Sequence, residues 1–131
     1  MNKIRGFFVS RAHSFGHAFH GLWYVIRTQR NAWIHAVITM LVLLVALWLH
    51  LPLRDWAVLF LTIALVWTAE FINSALEAVV DLASPQVHPL AKVGKDVGAA
   101  AVMIASLAAI LVGLLVLGPP LYEKIKFLSG R

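Results

Sequence analysis

Three apolar runs govern what this chain can become: Ala32 to Leu49, Trp56 to Trp67 with a continuation to Val80, and Val97 to Gly118. Each approaches the ~20 residues that a helix needs to cross a bilayer. A chain of 131 residues has too little interior to hide all three from water, so lipid must take the surplus. Strands are excluded, because only closed barrels span a membrane and three segments cannot close one. Charged types make up 13% of the sequence and hydrophobic types 61%, which also excludes a disordered chain. The expected fold class is therefore all-α: an integral membrane helical bundle in one domain over residues 1–131.

Trp33, Trp48, Trp56 and Tyr122 fall at the ends of the runs, where amphipathic rings settle at a membrane interface. The expected spans cover residues 32–50, 56–81 and 96–118. The Leu51–Asp55 link is short and predicts a tight antiparallel pair of the first two spans. The link from Leu82 to Asp96 is polar and interrupted by Pro85 and Pro89, and Pro119-Pro120 are expected to close the third span. Ahead of the first run, Phe15, Ala18, Phe19, Leu22, Trp23 and Ile26 repeat at helical spacing. They predict a fourth, amphipathic helix over about residues 13–30, lying in the membrane surface.

Cysteine is absent, which removes disulfides, thiolate metal sites and a cysteine nucleophile. The formal net charge is +5, but the basic residues flank the apolar runs instead of forming one stripe. That arrangement suits anionic lipid and argues against nucleic acid as a partner. Only Phe7-Phe8-Val9 follows the basic first residues, too short for the apolar region of a secretory signal. Lys3, Arg5, Arg11, Arg27, Arg30, Lys92 and Lys95 on one side outweigh Arg54, Lys124, Lys126 and Arg131 on the other, which places the N-terminus in the cytoplasm.

The chemistry is concentrated on the second span. Glu70, Asn73, Ser74, Glu77 and Asp81 are spaced i, i+3, i+4, i+7 and i+11, so they point into one narrow arc along about 16 Å of helix. A carboxylate inside a membrane costs about 2.5 kcal/mol or more, so such a row faces a bundle interior or a wet site. No basic residue at helical spacing on that span neutralises the acids. A hard cation such as Mg²⁺, held by one or two carboxylates and phosphate oxygens, would. Lys92 and Lys95 open the third span, and lysine is a common point charge for phosphate. Stripe and lysines together predict a site for phosphate and metal. A solvated helix end is the plainer reading of the stripe, opposed by the apolar face of Ala75, Leu76, Ala78, Val79 and Val80.

Glu70-x-x-Asn73-Ser74-Ala75-x-Glu77-x-x-x-Asp81, followed by His88-Pro89-Leu90-Ala91-Lys92 and Lys95-Asp96, resembles the small prokaryotic diacylglycerol kinase and undecaprenol kinase family. Ser14-Phe15, Gly21 and Asn31-Ala32-Trp33-Ile34-His35 are similar to the N-terminal signature of its short branch. The resemblance covers roughly residues 10–119. It implies a homotrimer in the bacterial inner (cytoplasmic) membrane with active sites shared between subunits, and transfer of the γ-phosphoryl group of ATP to a lipid alcohol with Mg²⁺. By motif position it implies Glu70 as catalytic base and Asn73 as a polar active-site residue. It puts Glu77 at the metal and nucleotide, Lys95 and Asp96 at the nucleotide, and Asp81 at the border of the site. His17 and His88 fall near the nucleotide, and Ala99 joins Glu70 at the lipid substrate. Gln29 stands where most members carry the Glu that shares the metal with Glu77, which predicts weaker Mg²⁺ binding.

Phosphoryl transfer needs positioning and charge neutralisation more than covalent chemistry, and these residues offer both. His13, His17 and His20 are spaced so that they could bind a metal, but on an interfacial helix they read as ordinary polar residues. His35 and His50 fall at span ends and are expected to snorkel or pair locally. Trp67 and Phe71 read as packing residues. The competing function is a non-catalytic helical membrane protein, a channel or lipid-binding scaffold, whose acids line a cation path. Its acids should then recur along the full depth, whereas here they cluster towards one side.

Overall fold

The computed structural model describes residues 2–130, with the side chains of residue 11 and residues 13–130. All its regular structure is helical: α1 (Asn2–Thr28), α2 (Arg30–Leu49), α3 (Leu53–Ala83) and α4 (Pro89–Leu128). The last three are long and apolar enough to cross a membrane, and the most apolar 18-residue stretch of α4 has a mean hydropathy of 2.8. At 1.5 Å per residue α2 is about 30 Å long, which matches a hydrocarbon core, while α3 and α4 reach about 46 and 60 Å and must project from it. Most of the bundle's large apolar side chains, among them Leu61, Ile104, Leu111 and Leu115, point outwards and are exposed on the single chain. The protein is an integral membrane helical bundle.

One residue separates α1 from α2. Gln29 is extended (φ −99°, ψ 115°), and its N–H still closes the last turn of α1 on Val25 O at 2.9 Å. Among the described side chains of α1 only Val25 is buried, whereas Phe15, Phe19 and Trp23 of the amphipathic stripe are exposed. The stripe is therefore left free for lipid. The helix starts well before the expected residue 13 and stops before residue 30, because the chain must turn at Gln29 to enter the first span.

The α2–α3 link is tight, as its length predicts. His50 adopts the left-handed conformation (φ 55°, ψ 49°) and Leu51 N–H bonds back to Ala46 O at 3.3 Å, so the helix ends in a closed turn without glycine. Leu51 then tucks against Ala46 and Leu59, with Val42, Leu49, Trp56, Val116 and Leu117 around them. Away from this turn, however, α3 packs far more extensively on α4 than on α2. The tight pair expected from the link is thus the α3–α4 pair. Gly98, Val102 and Ala105 are the buried positions of α4, and small residues let two backbones approach where the side chains of α2 do not.

The prolines of α4 also act differently from expectation. Pro89 does not end structure but begins it: it is the first helical residue, where a missing N–H costs nothing. His88 caps the same helix, its Nδ1 accepting from Leu90 N–H at 3.2 Å. The helix that carries the third span thus starts at Pro89, ahead of the expected span at 96–118. It also runs through Pro119 and Pro120 to Leu128 instead of stopping at 118. Proline's fixed φ of about −65° is itself helical, and its cost is the lost bond to the carbonyl four residues back together with the crowding of that carbonyl by its ring. Membrane helices tolerate that loss.

Candidate functional site

The acidic face of α3 turns towards α4 and α2 and is graded in depth. Glu70, Asn73 and Ser74 are buried, Glu77 is half-buried and Asp81 is exposed. Only 1% of Glu70 is exposed, and it is the largest fully buried side chain described. Helical periodicity alone produces the row, and the length of α3 carries its last acid out of the bundle.

Glu77 is the hub. Its Oε2 accepts from Gln29 Nε2 and its Oε1 from Asn73 Nδ2, each at 3.2 Å. The corner between α1 and α2 thus delivers Gln29 to the carboxylate that the sequence had paired it with. In this arrangement Gln29 offers Glu77 its N–H group. Asn73 Oδ1 is buried without a hydrogen-bond partner. Gly98 of α4 lies directly against that amide: a Cβ there would be driven into Asn73 Oδ1 and would come within 3.1 Å of Leu76 Cδ2. Only glycine lets α4 press on Asn73.

Ser74, by contrast, does not face the site chemically. Its hydroxyl donates to Glu70 O at 2.8 Å, a bond within its own helix. Lys95 forms an ion pair with Asp81, which links the start of α4 to the end of α3. Asp96 is exposed and accepts from Lys92 at 2.8 Å, one turn back along α4. His88 and His17 are exposed, the first as a helix cap and the second on α1, and neither joins the Glu70–Glu77 cluster.

His35 is the residue whose place the sequence misjudged. It does not snorkel at a span end; its Nε2 lies 3.8 Å from Glu70 Oε2 across the α2–α3 interface. Glu70 Oε2 has no hydrogen-bond partner. The imidazole meets the Trp67 ring edge-on at 6.4 Å between centroids, and Trp67 Nε1 donates to Thr39 Oγ1 at 3.2 Å. The signal was present: Asn31 and His35 are spaced i, i+4 and both border the same polar cavity. That cavity, of about 280 Å³, is also lined by Asn73, Glu77, Ala99, Val102 and Ser106. A second cavity of about 480 Å³ runs among Val42, Val45, Leu59, Val66, Ile110 and Leu114, almost wholly apolar, and shares His35 and Ser106 with the first as lining residues.

Among the described residues no three His, Asp or Glu side chains converge as a metal site. The fit to a hard cation rests on Glu77 and on the buried, unsatisfied Asn73 Oδ1; Gln29, which turns its N–H group to Glu77, would have to flip its amide to add an oxygen. One carboxylate with oxygen donors is the kind of set that takes Mg²⁺ when phosphate supplies the rest. The arrangement can therefore hold a cation and an anion at its wet end, shelter a carboxylate at its dry end, and accommodate a hydrocarbon chain alongside.

Comparison with known proteins agrees with this chemistry. Residues 16–117 match the model of the family described as prokaryotic diacylglycerol kinase. The chain is 37% identical over 120 residues to the undecaprenol kinase of Bacillus subtilis, covering 92% of this chain and 94% of that one. It is 47% identical over 109 residues to the diacylglycerol kinase of Synechocystis, covering 82% of this chain and 62% of the relative. Identity to the diacylglycerol kinase of Escherichia coli is 36% over 89 residues, or 63% and 73% of the two chains.

Proposed function

We propose, from the premise that the chain belongs to the prokaryotic diacylglycerol kinase family and is a membrane lipid kinase, that it transfers the γ-phosphoryl group of ATP to the hydroxyl of undecaprenol. Similarity to the undecaprenol kinase of Bacillus subtilis over nearly the whole of both chains supports that acceptor. The higher identity to the Synechocystis diacylglycerol kinase supports diacylglycerol as the rival. Parallel assays with each lipid and labelled ATP separate them: a faster rate with diacylglycerol would overturn the assignment.

In this reading Glu70 is where the acceptor proton ends. The observation that carries it is a carboxylate buried mid-span with an oxygen that has no hydrogen-bond partner. A buried acid without a partner is costly, and a proton supplied in turnover gives it a purpose. Glu77, with Gln29 and Asn73, would hold Mg²⁺; bound there, the ion neutralises the charge of the triphosphate. Lys95 and Asp96 sit at the projecting start of α4, where they meet the nucleotide once their ion pairs with Asp81 and Lys92 open. Ala99, lining the polar cavity beside Glu77, gives the lipid head group a small, unobstructed wall. His17 and His88 would approach the nucleotide from α1 and from the α3–α4 link.

The enzyme works in the cytoplasmic membrane with its N-terminus inside, where ATP is available. It acts as a homotrimer, whose neighbours cover apolar faces that the single chain exposes and complete a site that here holds only one metal carboxylate. Glu70→Gln should lower kcat by about 10²–10⁴-fold, the usual worth of a general base, while Mg·ATP affinity changes less than threefold. A fully active variant would refute the role of Glu70.

A further inference from the structure

The sealing of Glu70 poses a problem for the chemistry just described. With 1% exposure and no place among the residues lining either cavity, its carboxylate is not a surface that an acceptor hydroxyl meets. Something must stand between the two. Among the described residues, the ionisable groups close enough to act on Glu70 are His35 of α2 and Glu77 of its own helix. The buried positions that α4 brings up, Gly98, Val102 and Ala105, carry no titratable group. Glu77 is already engaged by two amides.

His35 alone satisfies both requirements. Its Nε2 faces the unpartnered Glu70 Oε2 at 3.8 Å, its side chain is 14% exposed, and it borders both cavities. Ordering of the ring comes from the edge contact with Trp67, itself tied to Thr39. One face of each cavity is thus formed by this residue. A lipid alcohol with its chain in the apolar cavity and its phosphate donor in the polar one would carry its hydroxyl past the imidazole.

We infer that His35 relays the proton of the acceptor hydroxyl to Glu70, an inference that rests on the proposed role of Glu70. The hydroxyl proton passes to Nδ1 of the neutral imidazole as Nε2 releases its own proton to Glu70 Oε2. The acceptor oxygen bonds to the γ-phosphorus, and the bond from that phosphorus to the β,γ-bridging oxygen breaks, leaving ADP with the electron pair. Afterwards Glu70 returns its proton to Nε2 and Nδ1 gives one to water in the polar cavity. The ring ends as it began, and protons balance.

The test uses the full-length protein reconstituted in bilayers with lipid acceptor and Mg·ATP. His35→Ala should lower kcat by about 10²-fold and leave the KM for Mg·ATP within threefold. Added imidazole should restore much of the rate, in proportion to its unprotonated form across a pH series. His35→Gln keeps bulk and hydrogen bonding but cannot pass a proton, so it should be as slow as His35→Ala. A His35→Gln variant at the parent rate, or a His35→Ala variant indifferent to imidazole, overturns the relay. Mg·ATP affinity in each variant reports that the site is still folded. Glu70→Gln is assayed alongside: if it is inactive while His35→Gln is active, only the relay fails, and if it is active, the role of Glu70 fails first.

Discussion

At one end of the bundle Ala46, Leu51 and Leu59 lie buried among Val42, Trp56 and Leu117, while three turns further along α3 the buried residues are Glu70, Asn73 and Ser74. The first end is closed by volume. Its side chains are all apolar, and what matters is that they fill the turn between α2 and α3 and the flank of α4. The second end is closed by position. Gly98 sets how near α4 comes, two amides hold Glu77, and two oxygens, one on Glu70 and one on Asn73, remain without partners. A bundle needs the first kind of contact to hold together. Nothing about stability requires the second, and unsatisfied buried oxygens are the mark of a region arranged for a ligand or a reaction.

The contrast can be broken most sharply at Gly98. Gly98→Ala pushes a methyl group into the Asn73 amide, so kcat should fall by about 10²-fold, the scale of a 1 Å misplacement, with overpacking costing about 1–3 kcal/mol. A steady-state assay and a thermal melt in the same detergent read both, and a variant with the parent's kcat would mean that the Asn73 clamp is dispensable. At the other end, Leu59→Ala should cost about 2–5 kcal/mol of stability while the protein that remains folded turns over at the parent rate. Loss of kcat per folded molecule would merge the two regions into one.

Gln29→Glu sharpens the comparison within the polar end. It replaces an amide that donates to Glu77 with a second carboxylate, so half-saturation by Mg²⁺ should drop about tenfold, within the range seen when groups around a metal are altered. Equal Mg²⁺ dependence in parent and variant would detach Gln29 from the metal. The smallest effect is expected at Lys92→Ala. Its pair with Asp96 is solvent-exposed, and such pairs contribute little. The melting temperature should not move measurably, and a clear drop would give that pair a structural weight that exposure denies it.

Much of this was legible in the sequence because periodicity is local. The spacing of Glu70, Asn73, Glu77 and Asp81 fixes a common face whatever the neighbours do, and the apolar runs fix three crossings. What escaped is tertiary. Nothing local to His35 says that α2 turns it towards Glu70, and nothing local to Gly98 says which amide it will meet. Pro119 and Pro120 read as a terminator because proline is judged by the bond it lacks, while in α4 its helical φ prevails. Pro89 was misread for the complementary reason, since the same residue that cannot continue a helix is well suited to start one.

Gln29 has a mechanical meaning as well as a chemical one. It is the single extended residue between α1, whose aromatic stripe faces outwards, and α2, and its amide is bonded to Glu77. Any tilt of α1 about that elbow must either drag the amide with it or snap its link to the carboxylate. A rod of about 40 Å thus works as a lever on one side chain, so that how deeply the rod floats in the lipid becomes a variable of the phosphate-handling end.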